Sequence, residues 1–145
     1  MIKDRTRPAT DERGHAVSVL MLGVIAALIM VAGLVVDGGQ KATAVSRAES
    51  VAAGAARAAA NAGAGGTLAG GSGPTVAAGR ARQAAQTYLK AAATGDGAPL
   101  SGTVTVSGPT VRVRTTVQVS TIFLSVIGID HLSGDGEATA RVVPT

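Results

Sequence analysis

A long stretch without charge lies near the beginning of this chain and limits the folds that are open to it. No charged residue occurs from Ala16 to Val36, and valine, leucine and isoleucine fill most of the stretch. A helix rises about 1.5 Å per residue, so this length matches a hydrocarbon core of roughly 30 Å. A buried helix of a soluble protein would need a large apolar surrounding, which the rest of the chain does not supply. The sequence therefore predicts a transmembrane helix over residues 16–36.

Basic residues on the two sides of this segment predict its orientation. Four lysines and arginines precede it within residues 1–15, whereas only Lys41 and Arg47 follow closely. Cytoplasmic flanks carry the excess of basic residues, so residues 1–15 are predicted to be a cytoplasmic basic leader. The C-terminal domain is then extracytoplasmic, and the predicted location is the cell membrane, crossed once.

A cleaved secretory signal is the alternative interpretation of the same segment. Ala42, Thr43 and Ala44 form an A-x-A pattern that a signal peptidase accepts. Cleavage after Ala44 would release a small secreted binding module. The apolar region exceeds the length of about 7 to 15 residues that is usual for a signal peptide, which favours the membrane anchor.

Alanine dominates residues 37–62, and this segment contains no proline. Such a composition has high helix propensity, so the span is predicted to continue outward as an extracytoplasmic helix. Small side chains recur there at three- and four-residue steps, which permits close approach of a packing partner. This spacing does not distinguish packing within the domain from contact with another subunit. The alanine stripe consists of Val45, Ala48, Ala52, Ala55 and Ala59.

Residues 63–74 are rich in glycine and are predicted to be a flexible linker. Residues 75–145 are then expected to form a small α+β domain that begins with a second helix. The apolar face predicted for that helix consists of Ala77, Ala81, Ala84, Tyr88 and Ala92.

Beyond Pro99 the apolar period changes from helical to two, which predicts a small antiparallel sheet of about three strands. Residues 107–110 form a compact connection that sets Val106 opposite Val111 and turns Arg112 and Arg114 to the other face. These arginines fit a solvated edge, or alternatively a basic binding strip. A third strand is predicted over residues 136–143, with alanines on its apolar face.

Residues 121–132 form the densest apolar stretch outside the span. The first interpretation is that they supply core to the sheet. They are strongly apolar for so thin a domain, so an alternative is contact with a neighbouring subunit or with the membrane surface.

The chain lacks the residue patterns of catalysis and of cofactor binding. It contains no cysteine, its histidines His15 and His131 stand far apart, and no phosphate-binding glycine motif is present. Acidic residues near position 135 fit a solvated turn better than a calcium site. The net charge of +4 is scattered and aromatic residues are almost missing, which argues against nucleic acid. We expect no enzyme activity, no metal, no cofactor and no small-molecule substrate.

Two stretches of the chain have a recognisable order of residues. The first is Glu12-Arg13-Gly14, followed by the span, Val35-Val36-Asp37-Gly38-Gly39 and the alanine-rich helix. The second is Phe123-Leu124-Ser125-Val126-Ile127-Gly128-Ile129, which leads to Ala138-Thr139-Ala140. Together they resemble TadE/TadG-like proteins of tight-adherence (Flp-type) pilus assembly.

This resemblance implies a pilin-like, membrane-anchored pseudopilin or minor pilin that assists assembly or export of an adhesive filament, without catalysis. Its implied partners are membrane lipid and other pilus or secretion-machinery subunits, in a homo- or hetero-oligomer. It also implies prepilin-type processing between Gly14 and His15. Pilins and TadE-type members usually have a glutamate at the fifth position after that cut, where this chain has Val19, and the departure favours a TadG-like role.

Overall fold

The computed structural model describes residues 12–68, 74–95 and 97–142, which form two helices and one antiparallel sheet. The helices lie against one face of the sheet, in an α+β fold. The elements are α1 (Glu12–Leu68), α2 (Pro74–Thr94), β1 (Leu100–Ser107), β2 (Thr110–Ser120), a 3-10 turn (Leu124–Ile127) and β3 (His131–Arg141).

Helix α1 is continuous over 57 residues, or about 85 Å. Its first half is apolar and makes almost no contact with the other described elements. One window of it has a mean hydropathy of 3.0 and is only 6% buried, so this helix is long and apolar enough to cross a membrane. Exposure of the large apolar side chains from Val17 to Val36 runs from 45% at Val36 to 74% at Met30.

The second half of α1 packs along the sheet. Glycines on β3 make this possible, because a Cβ on Gly134 would lie 2.3 Å from the Val45 nitrogen, and one on Gly136 would lie 2.4 Å from the Ala48 carbonyl carbon. The Thr115 hydroxyl on β2 donates a hydrogen bond of 2.7 Å to the Ala48 carbonyl oxygen. Small side chains on both surfaces therefore bring the helix backbone and the sheet backbone into direct contact.

The sheet has the order β1-β2-β3, and β3 begins at His131, five residues before the start predicted for the third strand. Val106 pairs with Val111, as predicted, and β3 pairs with β2 along the whole length of both strands. The inner face of β2 provides the largest fully buried side chains, Val111, Val113 and Val117. Arg112 and Arg114 lie on the exposed face, which confirms the predicted alternation.

The core is thin because most of it is alanine. Of the buried apolar residues in the described part of the chain, only the three valines of β2 and Leu89 are larger than alanine. The eight buried alanines are Ala44, Ala48, Ala52, Ala55, Ala56 and Ala59 of α1, and Ala81 and Ala85 of α2.

The predicted linker over residues 63–74 differs from the structure at both ends. Helix α1 continues to Leu68, and α2 begins at Pro74, while residues 69–73 lie outside the described residues. Gly63 is buried, and a Cβ there would lie 2.9 Å from the Val142 side chain. The glycines of residues 63–68 have a poor helix propensity, yet they are helical. The first of them, Gly63, packs against Val142 at the end of β3.

The predicted apolar face of α2 was only partly correct. Ala81 is buried as expected, but the buried stripe continues through Ala85 and Leu89. Leu89 fills the space above Gly102 of β1, where a Cβ would lie 3.0 Å from its methyl carbons. Tyr88 instead lies over Gly54 of α1 and keeps part of its ring exposed.

The interpretation of residues 121–132 as sheet core was wrong. Most of this stretch is the β2–β3 loop, residues 121–130, which contains the 3-10 turn, and β3 starts only at His131. Ile122, Val126 and Ile127 are 59%, 86% and 71% exposed. The sheet core is already filled by β2 and the alanine stripe, so the loop's large side chains remain outside it.

Candidate membrane-proximal site

Asp37 stands at the end of the apolar half of α1 and is fully buried. Its carboxylate accepts hydrogen bonds from three consecutive backbone N–H groups of the β2–β3 loop. The donor–acceptor distances are 2.9 Å from Ile122, 3.0 Å from Phe123 and 2.7 Å from Leu124. Leu124 is the first residue of the 3-10 turn and Phe123 is its N-cap, so Asp37 caps the start of that turn from a distant helix.

The three hydrogen bonds favour the charged form of Asp37. The N–H of Ile122 has the largest effect on the pKa of this carboxyl, and those of Leu124 and Phe123 act in the same direction. Burial opposes them, but the pKa remains below its ordinary value of 3.8. Asp37 is therefore an anion at neutral pH, neutralised by peptide dipoles instead of a basic side chain.

Gly33 provides the second contact between α1 and the loop. It is buried one turn before Asp37, and a Cβ there would lie 2.2 Å from Cγ of Phe123. The ring of Phe123 therefore lies directly on the helix backbone. Together, Gly33 and Asp37 hold the beginning of the loop against the last turn of the apolar half of α1.

The loop also pairs many of its own backbone groups. The N–H groups of Val126, Gly128 and Ile129 donate to carbonyls within the loop, and Thr121 N–H donates to the Asp130 carbonyl. The Ser125 hydroxyl donates to the Ile122 carbonyl at 2.7 Å. The loop is thus a compact, internally bonded turn whose large exposed side chains are apolar, with the exposed Asp130 at the end next to β3.

The exposed face of the sheet carries paired charges. Glu137 on β3 lies between two arginines of β2, at 3.2 Å from Arg112 and 2.7 Å from Arg114. The hydrogen bond from Arg114 is the main reason that the pKa of Glu137 lies below its ordinary value. Thr116 donates to Asp135 on the same face at 2.8 Å. Arg112 and Arg114, which lie on this face as predicted, are therefore both paired with Glu137.

The predicted site residues fall in two separate places. Gly14 and His15 are exposed near the start of the described part of α1, and a Cβ on Gly14 would meet nothing within 4 Å. The alanine stripe lies at the other end of the helix, inside this chain's own core. Ala48, Ala52, Ala55 and Ala59 are fully buried there, and Val45 is half-buried.

Groups of metal ligands are not found among the described residues. No three His, Cys, Asp or Glu side chains lie together in residues 12–68, 74–95 and 97–142. His15 and His131 are both exposed, and Asp135 and Glu137 are engaged by Thr116 and the two arginines.

Asp37 is the residue that sequence reasoning missed, although a signal for it exists. It follows Val35 and Val36 directly, so it is a carboxylate at the edge of an apolar segment. A charge in that position is costly unless it is paired, and Lys41, four residues later on the same helix, is the partner that the sequence offers. The structure pairs the carboxylate with the β2–β3 loop instead, and local spacing does not predict that contact.

Comparisons of the chain with protein-family models, with curated proteins and with solved structures found no match.

Proposed function

We propose that this protein is a single-pass membrane-anchored structural subunit of the TadE/TadG-like, pseudopilin-like kind, which assists assembly or export of a tight-adherence pilus. The observation that carries the proposal is the division of α1 into an exposed apolar half and a half that packs the domain. One continuous helix joins an anchor to a small extracytoplasmic α+β body.

Exposure of the apolar half favours lipid as its surrounding. Burying a large aliphatic side chain is worth about 1.5–3 kcal/mol, so a row of such side chains in water would be strongly unfavourable. The described part of the chain covers almost none of them. The basic residues of positions 1–15 favour a cytoplasmic N-terminus, which places the sheet outside the membrane.

The continuity of α1 favours a mechanical, non-catalytic role. No loop separates the apolar half from the alanine stripe, so the domain is held at a fixed distance and angle from the anchor. Pilus assembly is inferred from the resemblance around Glu12-Arg13-Gly14 and around Phe123–Ile129. Other subunits of the machinery are its proposed partners.

Two measurements test this proposal. The gene is deleted in its own bacterium, and surface pili are counted by electron microscopy with and without complementation by the wild-type gene. The complemented protein is recovered from carbonate-washed membranes, and its N-terminus is read by mass spectrometry. We expect loss of pili on deletion and retention of residues 16–36, and a terminus at His15 would indicate prepilin processing. Normal piliation in the deletion strain would contradict the pilus role.

The alternative function is a secreted binding module released after Ala44, and the A-x-A pattern at residues 42–44 favours it. Ala44 is buried within α1, against Gly134 of β3. Cleavage there would also remove Asp37 and leave three N–H groups of the loop without their acceptor. A mature N-terminus at Val45 in the culture medium would establish this alternative and exclude the anchored subunit.

A further inference from the structure

We propose that the β2–β3 loop, residues 121–130, is a second membrane contact that inserts its apolar side chains into the lipid interface beside the span. The inference rests on the membrane anchor of the proposed function, but not on the pilus role. The occupant of this surface is lipid, and the evidence is the position, the exposure and the backbone bonding of the loop.

Two contacts with α1 fix the position of the β2–β3 loop along the helix. Phe123 lies on Gly33, which is inside the segment 16–36, and Asp37 binds the N–H groups of Ile122 and Leu124. Gly33 is four residues before Asp37, or about 6 Å further into the membrane along the helix. The start of the loop therefore lies at the depth of the last turn of the span, which is the interfacial region.

Exposure of the loop is continuous with exposure of the span. Ile122, Val126 and Ile127 are mostly exposed, and so are Leu34 and Val35 on the neighbouring turn of α1, where Val36 is 45% exposed. Residues 121–129 contain no charged side chain, and Asp130, next to β3, is the one charged residue of the loop. A lipid surface that solvates the end of the span therefore reaches the loop as well, and burial of apolar area there favours insertion to about 5–10 Å.

Backbone bonding makes this insertion feasible. An irregular segment enters lipid at a large cost unless its N–H and C=O groups have partners in the protein. Here the Asp37 carboxylate accepts hydrogen bonds from three N–H groups of the loop. Four more N–H groups donate to carbonyls of the loop, those of residues 121, 126, 128 and 129. At least seven of the ten N–H groups of the loop therefore have acceptors within the protein, which lowers the cost of moving this backbone into lipid.

The opposite end of the sheet provides an internal control. The β1–β2 turn contains Ser107 and Gly108 and is exposed. It lies at the end of β2 that is remote from the loop, about 30 Å away along that strand. Near it, Val142 contacts Gly63 of α1, far along the helix from Gly33. This turn should remain in water whenever the loop is in lipid.

Depth-dependent fluorescence quenching tests the proposal directly. The chain has no cysteine, so V126C, S107C and L28C each give one site for an environment-sensitive dye. The full chain is reconstituted in vesicles of phosphatidylethanolamine and phosphatidylglycerol. We expect nitroxide-labelled lipid to quench the dye at V126C about as much as at L28C in the span, and at least about threefold more than at S107C. Aqueous iodide should show the reverse order.

The outcomes separate this inference from the membrane anchor itself. Lipid quenching at L28C without quenching at V126C would overturn the loop insertion and leave the anchor intact. Absence of lipid quenching at both positions would overturn both. Protection of V126C from iodide and lipid alike, increasing with protein density in the vesicle, would identify a neighbouring subunit as the occupant and also overturn the proposal.

A charge variant provides a second measurement on the same surface. I127D, combined with the dye at V126C, places a carboxylate on the exposed side of the loop without touching Asp37 or Gly33. We expect lipid quenching to fall to the level of S107C, whereas S107D with the dye at V126C should leave it unchanged. Undiminished quenching in the I127D variant would contradict insertion.

Discussion

The backbone N–H of Leu124 donates to a carboxylate oxygen of Asp37 at 2.7 Å, across 87 residues of the chain. This contact joins the end of the apolar half of α1 to the connection between the last two strands. It ties the β2–β3 loop to the last turn of the apolar half of α1, and the first predictions concern it.

Asp37→Ala should release the beginning of the β2–β3 loop. The variant removes the acceptor of three N–H groups, so amide exchange at Ile122, Phe123 and Leu124 should become about tenfold faster or more. Exchange measured by NMR in detergent micelles reads this directly. Asp130→Asn is the matched control, because its carboxylate makes no hydrogen bond or ion pair with the described residues. Equal exchange rates in wild type and Asp37→Ala would contradict the capping role.

The contribution of Asp37 to stability should depend on pH in a defined direction. Its folded pKa lies below the unfolded value of 3.8 because the loop N–H groups, that of Ile122 first, favour the anion. The stabilisation is therefore complete above about pH 5 and is lost as pH falls through 3.8 and then through the folded pKa. Thermal midpoints of wild type and Asp37→Asn should differ at neutral pH and converge in acid. A difference that grew as pH fell would show the opposite sign and refute this assignment.

Gly33→Ala should displace Phe123, since the added Cβ would lie 2.2 Å from Cγ of that ring. Gly23→Ala is the matched control on the same helix, with nothing within 4 Å of its Cβ. Both changes add helix propensity, so the difference between them isolates the contact. We expect faster amide exchange at Phe123 and Leu124 in Gly33→Ala only. The same exchange pattern in both variants would exclude a direct contact between ring and helix.

Gly136→Ala should separate α1 from the sheet. Its Cβ would lie 2.4 Å from the Ala48 carbonyl carbon and from the Glu49 nitrogen, and neither backbone can move without breaking helix packing. We expect a loss of about 3 kcal/mol in the free energy of unfolding. Gly79→Ala on α2 has open space around it and should gain about 0.5–1 kcal/mol. Chemical denaturation in micelles, followed by circular dichroism, measures both. A loss below about 1 kcal/mol in Gly136→Ala would contradict the close approach.

Local patterns were sufficient to predict most of the elements. Alternation of valine with polar residues predicted the β1–β2 hairpin and the pairing of Val106 with Val111, because neighbours on a strand face opposite sides. Alanine spacing likewise picked out Ala48, Ala52 and Ala55, all fully buried. It did not decide that the packing partner of these residues is the chain's own sheet.

The predictions for residues 121–132 and 63–68 were wrong because they depended on which distant segment fills a given space. The stretch 121–132 is the most apolar part of the domain, yet Val111, Val113 and Val117 fill the core. Composition alone does not show that a space is already occupied. The glycines of residues 63–68 fit a linker by propensity, but Val142 packs on Gly63 and α1 remains helical.

The apolar segment, the helical and strand periods and the hairpin register could be predicted from the amino-acid order, since each depends on residues close together in the chain. The contacts by which Asp37 and Gly33 hold the loop that begins at Ile122 became visible in the folded protein alone. A buried carboxylate needs donors, and any unsatisfied N–H group in the chain can provide them. Which group does so depends on how the sheet lies along the helix, and that follows from the close contact of Gly134 and Gly136 with the backbone of α1.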